Sequence, residues 1–131
     1  MLFKRAGMET WQFPQGGIDP GESPGQALYR EVEEETGCGD FRVLSQGESP
    51  VSYDFPGTLK TNISKNYRGQ KQHWFLCQFN EGAGPDLEKA EDKEFDDFRW
   101  ADLKEVLTGI VIWKKSAYEQ GLKELGLSTL K

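Results

Sequence analysis

The stretch from Gly16 to Cys38, GGIDPGESPGQALYREVEEETGC, fixes a turn, a helix with defined ends and a cluster of like charges within twenty-three residues. Ser23, followed by Pro24 and then by Gln26 three positions on, supplies an N-cap, a proline suited to the first helical turn and the reciprocal partner of a capping box. The spacing therefore predicts a helix that starts there, runs through Ala27, Leu28 and Val32, and stops near Gly37, which can take the left-handed C-cap conformation. On such a helix Ala27, Glu31, Glu34 and Glu35 fall at i, i+4, i+7 and i+8, so three carboxylates project from one face beside an apolar face marked by Leu28 and Val32.

Those carboxylates repel. Each of the pairs Glu31/Glu34 and Glu31/Glu35 costs about 0.2 to 0.5 kcal/mol on an isolated helix, and Arg30 offsets only part of this. A divalent cation reverses the sign, and hard oxygen ligands favour Mg²⁺ or Mn²⁺, which bind carboxylates together with waters and substrate phosphates. The competing reading is a solvated acidic face, which is what most short glutamate runs are. Ahead of the helix, Gly16 and Gly17 permit close backbone approach, and Asp19-Pro20-Gly21 reads as a turn.

Taken together, Gly16, Glu22, Arg30, Glu31, Val32, Glu34, Glu35 and Gly37 form the pattern G-x5-E-x7-R-E-V-x-E-E-x-G-C. It resembles the Nudix box, the signature of hydrolases that cleave nucleoside diphosphates linked to another moiety. The resemblance implies an α/β fold, the Nudix α/β/α sandwich with a mixed sheet, and a metal-dependent site. It also implies that the carbonyl of Gly16 is a metal ligand. Family members carry an additional opening strand and turn before the segment equivalent to Leu2 to Arg5, so the N-terminal strand of this chain is expected to be shortened or missing.

A length of 131 residues predicts a single domain, residues 1–131, with a real hydrophobic core. The net charge of −6 is uneven, because the box holds six acidic residues against Arg30 alone. A negative protein acting on polyanions needs local cations as well as metal, and Lys4, Arg5, Lys60, Lys65, Arg68, Lys71, Lys114 and Lys115 are candidates beside the plainer reading of scattered surface charge. Cys38 and Cys77 lack metal-type spacing and read as buried free thiols. No signal peptide or membrane span is expected, since the longest apolar runs, such as Ile110 to Trp113, are far too short, and a reducing cytoplasm fits.

Along the chain, Leu2 to Arg5 and Trp11 to Phe13 read as strand segments, followed after the helix by Phe41 to Leu44, Val51 to Phe55 and His73 to Phe79. The last has apolar residues on both faces, which predicts a central strand. Pro56 to Gly69 and Glu81 to Glu91 are loop-like, and the first could reach over a substrate. Phe95, Phe98 and Trp100 bracket a short strand, and Asp102 to Leu107 reads as a brief helix. Ile110, Trp113, Ala117, Tyr118, Gly121, Leu122 and Leu125 repeat at a helical period.

The segments Trp11 to Gly17, Gly69 to Phe75 and Glu94 to Trp100 resemble the Nudix branch of bacterial RNA pyrophosphohydrolases and its close relatives, the diadenosine polyphosphate hydrolases. That resemblance implies metal-dependent hydrolysis of the 5′-triphosphate end of RNA to a 5′-monophosphate, with release of pyrophosphate or stepwise phosphate. Two or more Mg²⁺ (or Mn²⁺) ions would be held by Glu31, Glu34, Glu35 and Glu94, with Glu35 or Glu94 activating water and Arg30 positioning a catalytic glutamate. Arg5, Gln70, Lys71 and Lys114 fall at substrate positions, and Val111 and Trp113 match a base pocket, Trp113 being suited to stacking. His73 reads as a strand-surface histidine. Two alternatives stay open: a hydrolase of diadenosine tetraphosphate or another nucleoside polyphosphate, and a non-catalytic nucleotide-binding module. The partner is thus an RNA 5′ end or a nucleoside polyphosphate, with no membrane, and the oligomeric state is open.

Overall fold

The structure, a computed structural model, describes residues 1–54 and 69–127. The elements follow in the order β1 (Leu2–Arg5), β2 (Trp11–Gln12), α1 (Pro24–Thr36), β3 (Phe41–Gln46), β4 (Val51–Asp54), β5 (Gly69–Gln72), β6 (Phe75–Phe79), β7 (Phe95–Arg99), α2 (Leu103–Gly109) and α3 (Ile112–Glu124). This is the α/β composition expected. The expected mixed sheet takes the form of three small sheets, β2-β1-β7, β3-β6 and β4-β5, and β1 pairs antiparallel with β2 and β7, as β4 does with β5. The chain forms two compact units, Met1–Arg42 with Cys77–Gly109 and Val43–Leu76 with Ile110–Lys131.

In the first unit β1 is the middle strand, with Phe3 opposite Gln12 on one side and Phe98 on the other. The core here is aromatic: Leu2, Phe3 and Phe95 are buried, and the Phe3 ring lies 5.3 Å from Phe95 and 6.0 Å from Phe98. Full burial of such a side chain contributes about 1.5 to 3 kcal/mol, enough to anchor a five-residue strand. Of the residues expected to bracket β7, Phe95 lies in the core, whereas Phe98 is 38% and Trp100 76% exposed. The register of the β1–β7 ladder shifts between Lys4 and Arg5, which pair with Asp97 and Phe95, and the Lys4 ammonium donates to Asp96 at 2.8 Å, which raises the lysine and holds the Asp96 carboxyl below its ordinary range.

Helix α1 begins and ends where its capping residues predict. The Ser23 hydroxyl accepts from the Gln26 N–H at 3.1 Å, and the Gln26 side chain accepts from the Ser23 N–H at 2.9 Å. At the other end Gly37 sits at φ 76° and donates its N–H to the Glu33 carbonyl. A side chain at Gly37 would strike the Asp86 carbonyl, and the Asp86 N–H donates to the Thr36 carbonyl at 2.8 Å. The segment between β6 and β7 is therefore fastened directly to the end of α1.

In the second unit Trp74 packs edge-on against Tyr118 with ring centroids 5.3 Å apart, and a Cβ added at Gly121 would run into the Trp74 indole. Ala117, Tyr118, Gly121 and Leu122 form the buried stripe of α3, as their period predicts. The reading of 73–79 as one central strand is corrected. Trp74 is committed to α3, so β5 ends at Gln72, β6 starts at Phe75, and β6 pairs with β3 alone among the described residues. His73 is exposed between the two strands rather than on one. Both thiols are unpaired and part-buried rather than fully buried, and burial pushes Cys77 up to about 11. Phe55, most of the loop from Pro56 to Gly69, Lys60, Lys65 and Arg68 lie outside the described residues.

Candidate metal and catalytic site

Arg30 is the hub of the site. Its Nε donates to Glu22 Oε2 at 2.7 Å and Nη2 to Glu22 Oε1 at 2.9 Å, a bidentate pair. Nη1 donates to Glu31 Oε1 at 2.7 Å and to Glu34 Oε2 at 3.3 Å, and Nη2 also reaches the Gly17 carbonyl at 2.8 Å. One planar guanidinium thus ties the Gly17–Glu22 turn to two carboxylates of α1. The pairing with Arg30, reinforced by the Asp19 N–H, lowers the Glu22 carboxyl to about 2, and Glu22 followed by Glu31 holds Arg30 more firmly protonated than usual. The turn side also closes on Glu31, because a Cβ at Gly16 would collide with the Glu31 carboxyl. Any larger residue would have to displace that carboxyl, which Arg30 holds.

Glu35 is in a different state from its neighbours. It is 2% exposed, and its Oε2 has no hydrogen-bond partner. Burial pushes its carboxyl up to about 8; the charges of Glu94 and Glu31 add to this and the Gln15 N–H opposes it. Desolvation also raises Glu34, with Arg30 acting against it. A buried carboxyl with a vacant acceptor beside other carboxylates has the chemistry of a cation ligand or a base.

Among the described residues, the carboxylates whose oxygens could share one ion are Glu31, Glu34 and Asp92, with one oxygen from each lying within 4.8 Å of the others. Asp92 was not legible as a site residue. It belongs to the acidic run before β7, outside the helix pattern, and its backbone N–H donates to the Glu34 carbonyl at 3.0 Å. Glu94, expected in the metal set, lies outside this group of three; it is exposed, its carbonyl accepts from the Ala6 N–H at 2.7 Å, and its charge bears on Glu35. Glu22 is the other functional residue underrated by sequence alone, although its place in the box was a signal.

Arg5, in β1, is part-buried and its N–H donates to the Thr10 carbonyl. The remaining expected substrate residues belong to the second unit. Val111 precedes α3 as its N-cap without a side-chain cap, Trp113 lies 5.7 Å from the Tyr53 ring, and the Lys114 ammonium sits 5.2 Å over the Trp113 ring. Lys71 is exposed on β5, and Gln70 pairs with Tyr53 in the β4–β5 ladder, its side chain outside the described residues. A surface concavity of about 710 Å³, lined by Gly82 to Glu88 and Asp96 to Phe98, includes none of the expected site residues.

The NUDIX domain pattern matches residues 1–121, and the chain belongs to the Nudix family. It is 40% identical over 119 residues to the RNA pyrophosphohydrolases of Rickettsia canadensis (strain McKiel) and Rickettsia bellii (strain OSU 85-389), spanning 89% of this chain and 73% of each relative. In structure it is similar to the dihydroneopterin triphosphate pyrophosphohydrolase of E. coli, with a TM-score of 0.69 at 19% identity over 91% of this chain and 82% of that one. It is also similar to a C. elegans Ap4A hydrolase, with a TM-score of 0.62 at 17% identity over 95% and 85% of the two chains. At those identities the structural likeness is one of fold, and the fold is that of the Nudix hydrolases.

Proposed function

We propose that this protein is a Nudix pyrophosphohydrolase that converts the 5′-triphosphate end of RNA to a 5′-monophosphate with release of pyrophosphate. One observation carries the chemistry: α1 presents a buried, unpartnered Glu35 oxygen beside carboxylates that Arg30 holds in place. The choice of RNA is supported by 40% identity to RNA pyrophosphohydrolases over most of the chain. Residues 1–131 act as one domain in this reading, which the match over residues 1–121 supports. No helix among the described residues is long and apolar enough to cross a membrane, and two free thiols suit a reducing cytoplasm.

The donor set fits a hard divalent cation, because carboxylate oxygens converge, the glycine at position 16 leaves room beside Glu31, and Glu35 keeps an unsatisfied acceptor. Glu31, Glu34, Glu35 and Glu94, with the Gly16 carbonyl, would hold Mg²⁺ or Mn²⁺, two or more per site. Such ions, when bound, offset phosphate charge and acidify water. Arg30 fixes the rotamers of Glu31 and Glu34, so their oxygens need no reorganisation as the substrate arrives. Glu35 Oε2 takes the proton of the attacking water as its oxygen bonds to phosphorus and the bridging anhydride bond breaks, the electron pair leaving with pyrophosphate. Arg5, Gln70, Lys71 and Lys114 meet the phosphates and backbone of the RNA end, and Val111 and Trp113 take its first base, Trp113 by stacking.

The test is a pair of rates with Mg²⁺, one on a triphosphorylated oligoribonucleotide and one on diadenosine tetraphosphate. The RNA is expected to be preferred; a more than tenfold preference for the dinucleotide rejects RNA as the main substrate, and no hydrolysis of either rejects catalysis. Glu35→Gln should lower the rate about 10²- to 10⁴-fold while the circular dichroism spectrum stays unchanged. A variant as active as the parent removes Glu35 from the reaction.

A further inference from the structure

Asp92 is an acidic residue in the segment joining β6 to β7, and nothing in the helix pattern requires a carboxylate there. Its position sets it apart from the other acidic residues of that run, and a second feature of the site points to a cation beside it. Its backbone is fixed to α1, since the Asp92 N–H donates to the Glu34 carbonyl at 3.0 Å, within a segment also held by the Asp86 N–H on Thr36. The side chain is thereby delivered to Glu31 and Glu34, with one oxygen of each carboxylate within 4.8 Å of the others. An octahedral cation with ligands at roughly 2.1 Å places opposite ligand oxygens roughly 4.2 Å and adjacent ones roughly 3.0 Å apart, so side-chain rotation can bring these three onto one ion.

The second feature is Glu35. It is 2% exposed, its Oε2 is unpartnered, and the charges of Glu94, Glu31 and, less strongly, Asp92 bear on it. Arg30 satisfies one oxygen each of Glu31 and Glu34 and makes no hydrogen bond to Asp92 among the described residues. Asp92 is exposed, so its carboxylate and the free oxygens of Glu31 and Glu34 are open to a cation from solution.

We infer that Asp92 is a direct carboxylate ligand of the divalent cation bound between Glu31 and Glu34, contributed by the segment before β7 rather than by the catalytic helix. This rests on the metal-dependent reading of the site. It gives that segment a role in metal affinity: the backbone bond to Glu34 sets the distance, and the side chain closes the ligand set from outside the helix.

The experiment is a Mn²⁺ titration of the full chain without substrate, reading free Mn²⁺ by its paramagnetic resonance signal, on the parent and on Asp92→Asn, Glu91→Gln and Glu34→Gln. Asp92→Asn keeps the backbone N–H and is expected to weaken Mn²⁺ about tenfold or more, with unchanged circular dichroism. Glu91→Gln removes the same charge one residue away and should change Kd less than twofold. Equal losses in the two variants would mean that long-range charge is the whole effect, and the inference falls. If Glu34→Gln weakens Mn²⁺ and Asp92→Asn does not, Asp92 is no ligand while the site reading survives. If neither does, the metal site itself is wrong.

Discussion

Helices α1 and α3 are both thirteen residues long and both close on a left-handed glycine, but they differ at their first turns and in what they bury. Helix α1 has a capping box at one end and a left-handed glycine at the other, and its buried residues are only Ala27, Glu35 and Thr36. Helix α3 starts at Val111 with no side-chain cap, closes after Leu125 on Gly126 at φ 78°, whose N–H donates to the Lys123 carbonyl, and buries Ala117, Tyr118, Gly121 and Leu122. A helix that must carry converging glutamates cannot draw its stability from an apolar stripe on the same face. Its ends and Arg30 must supply it locally. A helix free of that demand can be fixed largely by packing, and its first turn can stay uncapped.

The hardest way to break the comparison is to weaken the hub. Arg30→Lys keeps the charge but loses the planar fork that binds Glu22 bidentately and reaches Glu31, Glu34 and the Gly17 carbonyl at once. The expected outcome is a loss of roughly 10²-fold in kcat on triphosphorylated RNA, from carboxylates that are no longer preorganised. Glu22→Gln should lose less, because the guanidinium keeps its bonds to the catalytic helix. Should Arg30→Lys be as active as the parent, positive charge alone suffices and the local-fixation account of α1 is wrong.

On α3 the matching change is Gly121→Ala. The added methyl meets the Trp74 indole, so it acts by overpacking and should cost about 1 to 3 kcal/mol in denaturant unfolding. Because α3 is held by this contact, its loss should appear as lower stability with kcat within a few-fold of the parent. A neutral or stabilising result would show that Trp74 gives way easily and does not set the helix.

This contrast also explains what was legible. Both ends of α1, its cap partner Gln26 and its terminal Gly37 follow from side-chain to backbone bonding within a few residues, and such signals survive in a linear sequence. The bounds of α3 were blurred because the stripe from Ile110 to Leu125 marks a buried face and says nothing about where the first turn begins. The break at His73 and Trp74 was hidden for a related reason: an apolar tryptophan beside apolar strand residues reads as strand until its partner, Tyr118 on α3, is seen. Glu31, Glu34 and Arg30 were readable from spacing along one helix. Asp92 was not, since its nearness to Glu34 comes from a backbone bond between segments far apart in sequence.

The mildest effect concerns the one carboxyl that α1 buries. Glu35 moves from an ordinary 4.5 to about 8 in the folded protein without metal, so between those values the native state holds a proton that the unfolded chain has released. The sign follows: its contribution is fully present below about 4.5 and is lost as pH rises toward 8, so metal-free stability falls across that window. The limiting slope is about 1.4 kcal/mol per pH unit for one proton, and the native state's relaxation around the charge reduces it. Glu22, lowered to about 2, changes charge below this window and does not contribute to the slope. Thermal melts of chelator-treated protein between pH 5 and 7.5 should therefore show a falling Tm in the parent and a flatter profile in Glu35→Gln. At pH 7.5, added Mg²⁺ should restore the parent more than the variant. Parallel pH profiles for the two proteins would mean that Glu35 is not the buried acid of α1, and the distinction between a helix fixed for chemistry and one fixed by packing would lose its clearest thermodynamic mark.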